Sequence, residues 1–220
     1  MEITWYGHSC FRLTERGQAT VVTDPFDNKA IGYSPLKIKA DIVTVSHNAP
    51  GHSNVDAVKG TSHVIDGAGE FEIGGVFITG VPTDGSGSNG KKKGKDGSSR
   101  NTVYVFDYDG ITVAHLGDLN KVPTQSEIES LGTINVALVP VGGGGGLNAA
   151  KAAEVISLIE PNIVIPMHYA TPAAKVSLDS LNKFVKEMGL SKPETQPSFK
   201  ASRSGLPSET RVVALEYQSS

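Results

Sequence analysis

The pattern that most constrains this chain is a succession of short apolar runs, rich in β-branched residues and closed by turn residues. They lie at 2–6, 10–14, 19–23, 41–46, 62–66, 70–73, 76–81, 102–107, 111–115, 135–141, 162–167 and 211–216. Runs of about four to seven residues have the length and residue type of strands rather than core helices. Helical periodicity is scarcer: a short turn near 54–59, then 124–131, 148–159 and 177–188. Asn148 is a fit N-cap for the segment that follows it, and after Ser177 the residues Leu178, Leu181, Phe184, Val185 and Met188 recur at helical spacing until Gly189. Strands crowd the first two-thirds and helices separate strands in the last third, which fits neither a pure sandwich nor a regular βαβ repeat. Two sheets covered by helices, an α+β arrangement, bury all of these faces.

With 220 residues, 25 glycines and 12 prolines, and with no Pro-rich linker, the chain reads as one turn-rich domain spanning 1–220. Its one low-complexity stretch, 84–100, reads as a flexible Gly/Ser/Lys-rich loop between strands, and 190–210 as a second irregular stretch. Twenty Lys and Arg against 23 Asp and Glu give a net charge of −3. The basic cluster Lys91, Lys92, Lys93, Lys95 and Arg100 lacks interleaved aromatics, so a solvated loop is expected and a nucleic-acid partner is disfavoured. A single cysteine, Cys10, excludes an intrachain disulfide and fits a reducing, cytoplasmic setting. The N-terminal MEITWYGHSC has no basic segment leading into an apolar one, and no run approaches the roughly 18 apolar residues of a membrane span. Neither secretion nor a membrane partner is expected.

Histidine placement carries the chemistry. His47 follows DIVTVS, His115 follows ITVA and His168 follows NIVIPM. Strand ends converge on one rim, so such a pattern can assemble a metal or acid–base site from distant sequence, and Asp118 in HLGD adds a carboxylate there. One histidine at a strand end is ordinarily a hydrogen-bonded structural residue; the repetition is what points to a site. His63 opens an apolar run away from the others and reads as a plain sheet residue. His8 and Cys10 would share a face of an extended strand, but no third group orients them as a nucleophilic pair. The glycines at 85, 87 and 90 nearly spell a phosphate loop, yet Lys92 stands where Ser or Thr is needed and no helix can start there. Gly142 to Gly146, after the run VALVPV, reads either as a flexible loop or as an anion-binding rim.

WYGHSCF at the start, TDPF at 23–26, VTVSHNAPGHSN at 43–54, HLGDL at 115–119 and PMHY at 166–169 resemble, in order, the landmarks of the metallo-β-lactamase superfamily. GEFEIGGVFITGVPT at 69–83 is similar to its ascorbate-6-phosphate-lactonase-like branch of metal-dependent hydrolases. The resemblance implies a four-layer αββα sandwich with the active site along one edge of two sheets. The family signature His-x-His-x-Asp-His stands here as His47-Asn48-Ala49-Pro50-Gly51-His52, so Ala49 and Gly51 offer no donor, and Asp84-Gly85 stands where a further histidine is expected. The first of the family's two metal positions keeps only His47. The second keeps His52, Asp118 and His168, and three such ligands still make an open catalytic site. The resemblance therefore implies metal ligands at His52, Asp118 and His168, with His47 or Asp84 as a further contact. It implies catalytic roles for Asp118 and His47, and supporting hydrogen bonds from His8 and His115. The expected cofactor is one divalent ion, zinc, manganese or iron, or none. The expected activity is hydrolysis of a small ester, lactone or phosphate-bearing molecule; the alternative is a metal-depleted relative that binds a ligand in the same cleft without turning it over. A homo-oligomer stays open.

Overall fold

In the computed structural model, residues 1–83 and 101–219 are described. The expectations for the 84–100 loop, its basic cluster, Asp84 and Gly85 lie outside the described residues. The strands are β1 (Glu2–Gly7), β2 (Cys10–Thr14), β3 (Val21–Thr23), β4 (Ile38–Lys39), β5 (Ile42–Thr44), β6 (Val58–Lys59), β7 (His63–Ile65), β8 (Gly69–Ile73), β9 (Val76–Thr83), β10 (Asn101–Tyr108), β11 (Ile111–His115), β12 (Val136–Pro140), β13 (Ile163–Met167), β14 (Glu194–Gln196), β15 (Phe199–Lys200) and β16 (Arg211–Leu215). The helices are α1 (Asn28–Ile31), α2 (Gln125–Leu131), α3 (Ala149–Ile159) and α4 (Leu181–Glu187). One sheet runs β15-β1-β2-β3-β5-β7, the other β14-β16-β13-β12-β11-β10-β9-β8, and β4 pairs with β6.

The strand sequences explain why both sheets are covered on both faces. Along β2, β3 and β5, Phe11, Leu13, Val21 and Ile42 enter the core between the sheets. Their neighbours Cys10, Val22 and Val43 enter a second cluster with Phe26, Ile31, Tyr33, Leu36 and Ile38. Every residue of β12 and β13 is buried, as parallel strands with two covered faces require, and Ala152, Val155 and Ile156 of α3 with Phe184 of α4 join that core. The result is the expected αββα sandwich, with the outer layer on the first sheet reduced to the single turn α1 and irregular chain.

Two local readings are corrected, and the short turn near 54–59 is kept. The helix expected over 177–188 starts only at Leu181, because the backbone of Asp179 is used elsewhere: its N–H donates to Gly142 O (2.7 Å) and its carbonyl accepts from Ala170 N (2.9 Å). The stretch 190–210 is not wholly irregular; β14 and β15 extend the sheet edges along β16 and β1. The turn near 54–59 is a 3-10 turn, Val55–Ala57, followed by β6. Among the described residues, no helix is long and apolar enough to cross a membrane.

Parallel pairing of β3 with β5, and of β11, β12 and β13, brings the carboxyl ends of these strands to common edges. The sheets are tied near that edge by Tyr104 on β10, whose hydroxyl lies 3.1 Å from the carbonyls of both Val45 and Ile65 in the first sheet. Tyr104→Phe should therefore lower stability by about 1–2 kcal/mol, because the one buried hydroxyl proton shared among these carbonyls is lost. An unchanged urea midpoint at constant slope would contradict this tie.

Candidate metal centre

The site is built on Asp24, the residue after β3. Its carboxylate is completely buried and accepts from Ser46 N (2.7 Å), Ser46 Oγ (2.6 Å) and His52 Nδ1 (2.7 Å). Burial alone would raise its pKa, but the His115 and His52 imidazoles and the hydrogen bonds from His52 and Ser46 more than offset that and hold it below the ordinary value. Because Asp24 accepts, the His52 proton sits on Nδ1 and Nε2 carries a lone pair. The same logic orients His47. Ser46 Oγ has given its proton to Asp24, so at 3.2 Å from His47 Nδ1 it can only accept, which leaves a lone pair on His47 Nε2.

Four further elements deliver side chains to this rim. Asp118 follows β11, its N–H donating to Asn101 Oδ1 (2.9 Å), while Asn101 Nδ2 donates to Leu116 O and Thr83 Oγ1. His168 follows β13 and its N–H donates to the carbonyl of His8 in the β1–β2 turn (3.1 Å). One donor atom each from His8, His52 and His168 lie within 4.8 Å of one another, and so do one each from His47, His52 and Asp118. His52 belongs to both groups. Asp118 Oδ1 lies 3.9 Å from His168 Nε2, and Oδ2 lies 3.9 Å from His47 Nε2. That separation is too long for a hydrogen bond and within the span of two bonds of about 2.1 Å to one ion. Asp118 Oδ1 is buried and has no hydrogen-bond partner among the described residues. A divalent ion fits this donor set, because it would satisfy a buried carboxylate oxygen that otherwise has none. The chain from Gly142 to Gly146 packs against these groups: a Cβ on Gly146 would stand 2.4 Å from Asp118 Oδ1.

Burial is the main cause of depressed basicity in the cluster. It lowers His47 to about 4, with help from His52 and against Asp24. It lowers His168 to about 4 as well, against the pull of Asp118 and with help from His52 and His47. His8 is lowered well below its ordinary value by burial, then by His168, His52 and His47. These imidazoles are thus neutral at pH 7, the form a metal needs.

The structure brings His47, His52, Asp118 and His168 together and puts the His8 ring among them. His115 is buried outside both donor groups, its Nε2 donating to Ser9 O (2.8 Å). His63 stands exposed on the edge strand β7 with Ser62 as its partner. His8 and Cys10 do not share a strand face, since His8 occupies a turn at φ 50° and Cys10 packs into the second cluster. Burial and the Asp24 charge hold the Cys10 thiol well above its ordinary range, so it is no thiolate nucleophile. Asp24 and Ser46 lie within the landmark segments TDPF and VTVSHNAPGHSN, but the sequence assigned neither a role in the site. The available signal was an acid directly after the buried run VVT and before a proline, facing other strand ends.

The β-lactamase superfamily domain model matches residues 2–168. The chain therefore belongs to the metallo-β-lactamase superfamily, and the fold described above is that superfamily's. A UPF0173 metal-dependent hydrolase of Methanopyrus kandleri is 30% identical over 217 residues, covering 86% of this chain and 94% of that relative. One from Thermoplasma acidophilum is 28% identical over 196 residues, covering 78% and 84%. A Thermotoga maritima crystal structure, named for a Zn-dependent hydrolase of the metallo-β-lactamase superfamily, is 38% identical with a TM-score of 0.78 and covers 99% of both chains.

Asp24→Asn turns one acceptor into a donor and releases the His52 tautomer, so divalent-ion affinity should fall about 10–100-fold in calorimetric titration. Wild-type affinity in that variant would contradict the anchoring role. The metal-free protein should lose stability on acidification. Histidines that titrate near 4 when folded and near 6.5 when unfolded give the unfolded state more protons between those values. The melting temperature of chelator-treated protein should be highest above pH 6.5 and fall toward pH 4. A flat profile would contradict the buried neutral cluster.

Proposed function

We propose that this chain hydrolyses a small ester, lactone or phosphate-bearing substrate with one divalent ion held by His52, His168 and Asp118. The observation that carries the reading is Asp118 itself: its partnerless buried Oδ1 faces His168 Nε2 at 3.9 Å, while Oδ2 faces His47 Nε2 at 3.9 Å. When bound, such an ion supplies Lewis-acid polarisation of the scissile group and acidifies water. The chain's own groups supply the rest. Asp24 keeps the His52 ring in one tautomer and one orientation. Asp118, whose side chain is 23% exposed, is reachable from solvent and takes a proton from the attacking water at Oδ2. His47 Nε2, which holds a lone pair at rest, receives that proton from Asp118 Oδ2 and shuttles it to the leaving oxygen, and its depressed pKa makes the transiently protonated ring a strong donor. That relatives are named metal-dependent hydrolases supports the reaction class. Ala49, which has no donor atom in the 47–52 loop, favours one ion over two and gives the competing reading, a non-catalytic ligand-binding relative, its footing.

Elemental analysis of protein purified without added metal tests the two readings. About one equivalent of zinc, manganese or iron is expected. His52→Ala, Asp118→Ala and His168→Ala should each lose that ion, together with hydrolysis across a panel of chromogenic esters, lactones and phosphates. Retention of the ion by Asp118→Ala would reject this site. No ion in the wild type even after zinc or manganese is supplied would favour the non-catalytic reading.

A further inference from the structure

We infer that His8 is a direct ligand of the ion, occupying the space a side chain at position 51 would need, and that the resulting three-imidazole set selects zinc over manganese. This rests on the metal reading above and goes beyond it in ligand identity and metal choice. A Cβ built on Gly51 would stand 2.6 Å from His8 Nε2, 3.0 Å from His8 Cδ2 and 3.2 Å from Ile31 Cδ1. No side chain at position 51, carboxylate or other, can coexist with the His8 ring as it stands. Position 51 adjoins His52, so the ring fills the place from which a residue-51 donor would reach the same ion.

The His8 ring is held there from several directions. Its backbone is left-handed at φ 50°, a conformation that costs a non-glycine residue and persists only where its surroundings enforce it. The His8 carbonyl accepts from Trp5 Nε1 and His168 N, each at 3.1 Å. The next carbonyl, Ser9 O, accepts from His115 Nε2 at 2.8 Å and Thr23 Oγ1 at 3.1 Å. The ring centroid lies 4.2 Å from that of His168 and 5.0 Å from that of His52. The side chain is almost wholly buried, and its Nδ1 has no hydrogen-bond partner among the described residues. A residue that merely filled space would do so at lower cost without polar nitrogens, since a buried unpaired one costs about 1–3 kcal/mol. Three imidazoles with one carboxylate, Asp118, form a nitrogen-rich set, which suits zinc better than the oxygen-seeking manganese.

The test uses the full chain, stripped with chelator and titrated separately with zinc and manganese ions. Wild type should bind zinc at least about 100-fold more tightly than manganese. His8→Asn, chosen because asparagine tolerates left-handed backbone, should weaken zinc by more than the roughly 10–100-fold that loss of an outer support costs. The double change His8→Ala with Gly51→Asp should recover binding and narrow the zinc-to-manganese ratio. Zinc binding by His8→Asn at wild-type strength, while His168→Ala binds none, would overturn the role of His8 and leave the metal reading standing. Absence of zinc from the wild type would remove both. A measurement independent of how the His8 variants fold is zinc-edge X-ray absorption on His47→Ala. Three imidazoles are expected there; two, or no bound zinc, overturn the assignment.

Discussion

The buried carboxylate of Asp24 is the constraint on which the rest of the site depends. A charge with no solvent contact is tolerated only when its oxygens are fully engaged, and here three donors from the 46–52 loop engage them. The loop cannot shift without stranding that charge, so His52 and His47 are fixed in position and tautomer together. Of the five non-glycine residues with positive φ among the described residues, Asp24, His8 and His168 lie at this rim. Backbone strain is concentrated where side chains from separate strands must meet, and the hydrogen bond from His168 N to the His8 carbonyl locks two of the three strained residues to each other.

Electrostatics and architecture agree. Burial and mutual crowding keep His8, His47 and His168 neutral, so the local formal charge comes from Asp24 and Asp118 and complements a dication. The αββα layering explains how such a cluster is buried without being sealed. Both sheets are covered on their outer faces, the parallel strands end at a common edge, and Asp118 remains partly open to solvent. Rigid strands thus carry the donors while turns only aim them, the arrangement that holds a coordination set to tight geometry.

Most strands were legible because β-branched runs bounded by turn residues are a local signal, and α3 was legible through its Asn148 cap, whose side chain accepts from Lys151 N. The late start of α4 was not, since it is set by a tertiary pairing of Asp179 with Gly142 and Ala170. Nor were β14 and β15, which are short polar edge strands recruited by neighbours already in place. In the site, the placing of His47, His168 and Asp118 after apolar strands is a pattern the chain displays openly. Asp24 is different: it stands in the TDPF landmark, but nothing in its spacing shows that its carboxylate is buried, and only the fold reveals that. The exclusion between Gly51 and His8 is likewise a through-space relation that no spacing rule carries.

The most direct measurement is an anomalous difference map from zinc-soaked crystals, with data collected at the zinc absorption edge. A single peak bounded by His52, His168 and Asp118 is expected, with His52 Nδ1 still donating to Asp24. A peak away from these residues, two peaks of equal height, or none at saturating zinc would contradict a one-ion centre organised by the buried carboxylate.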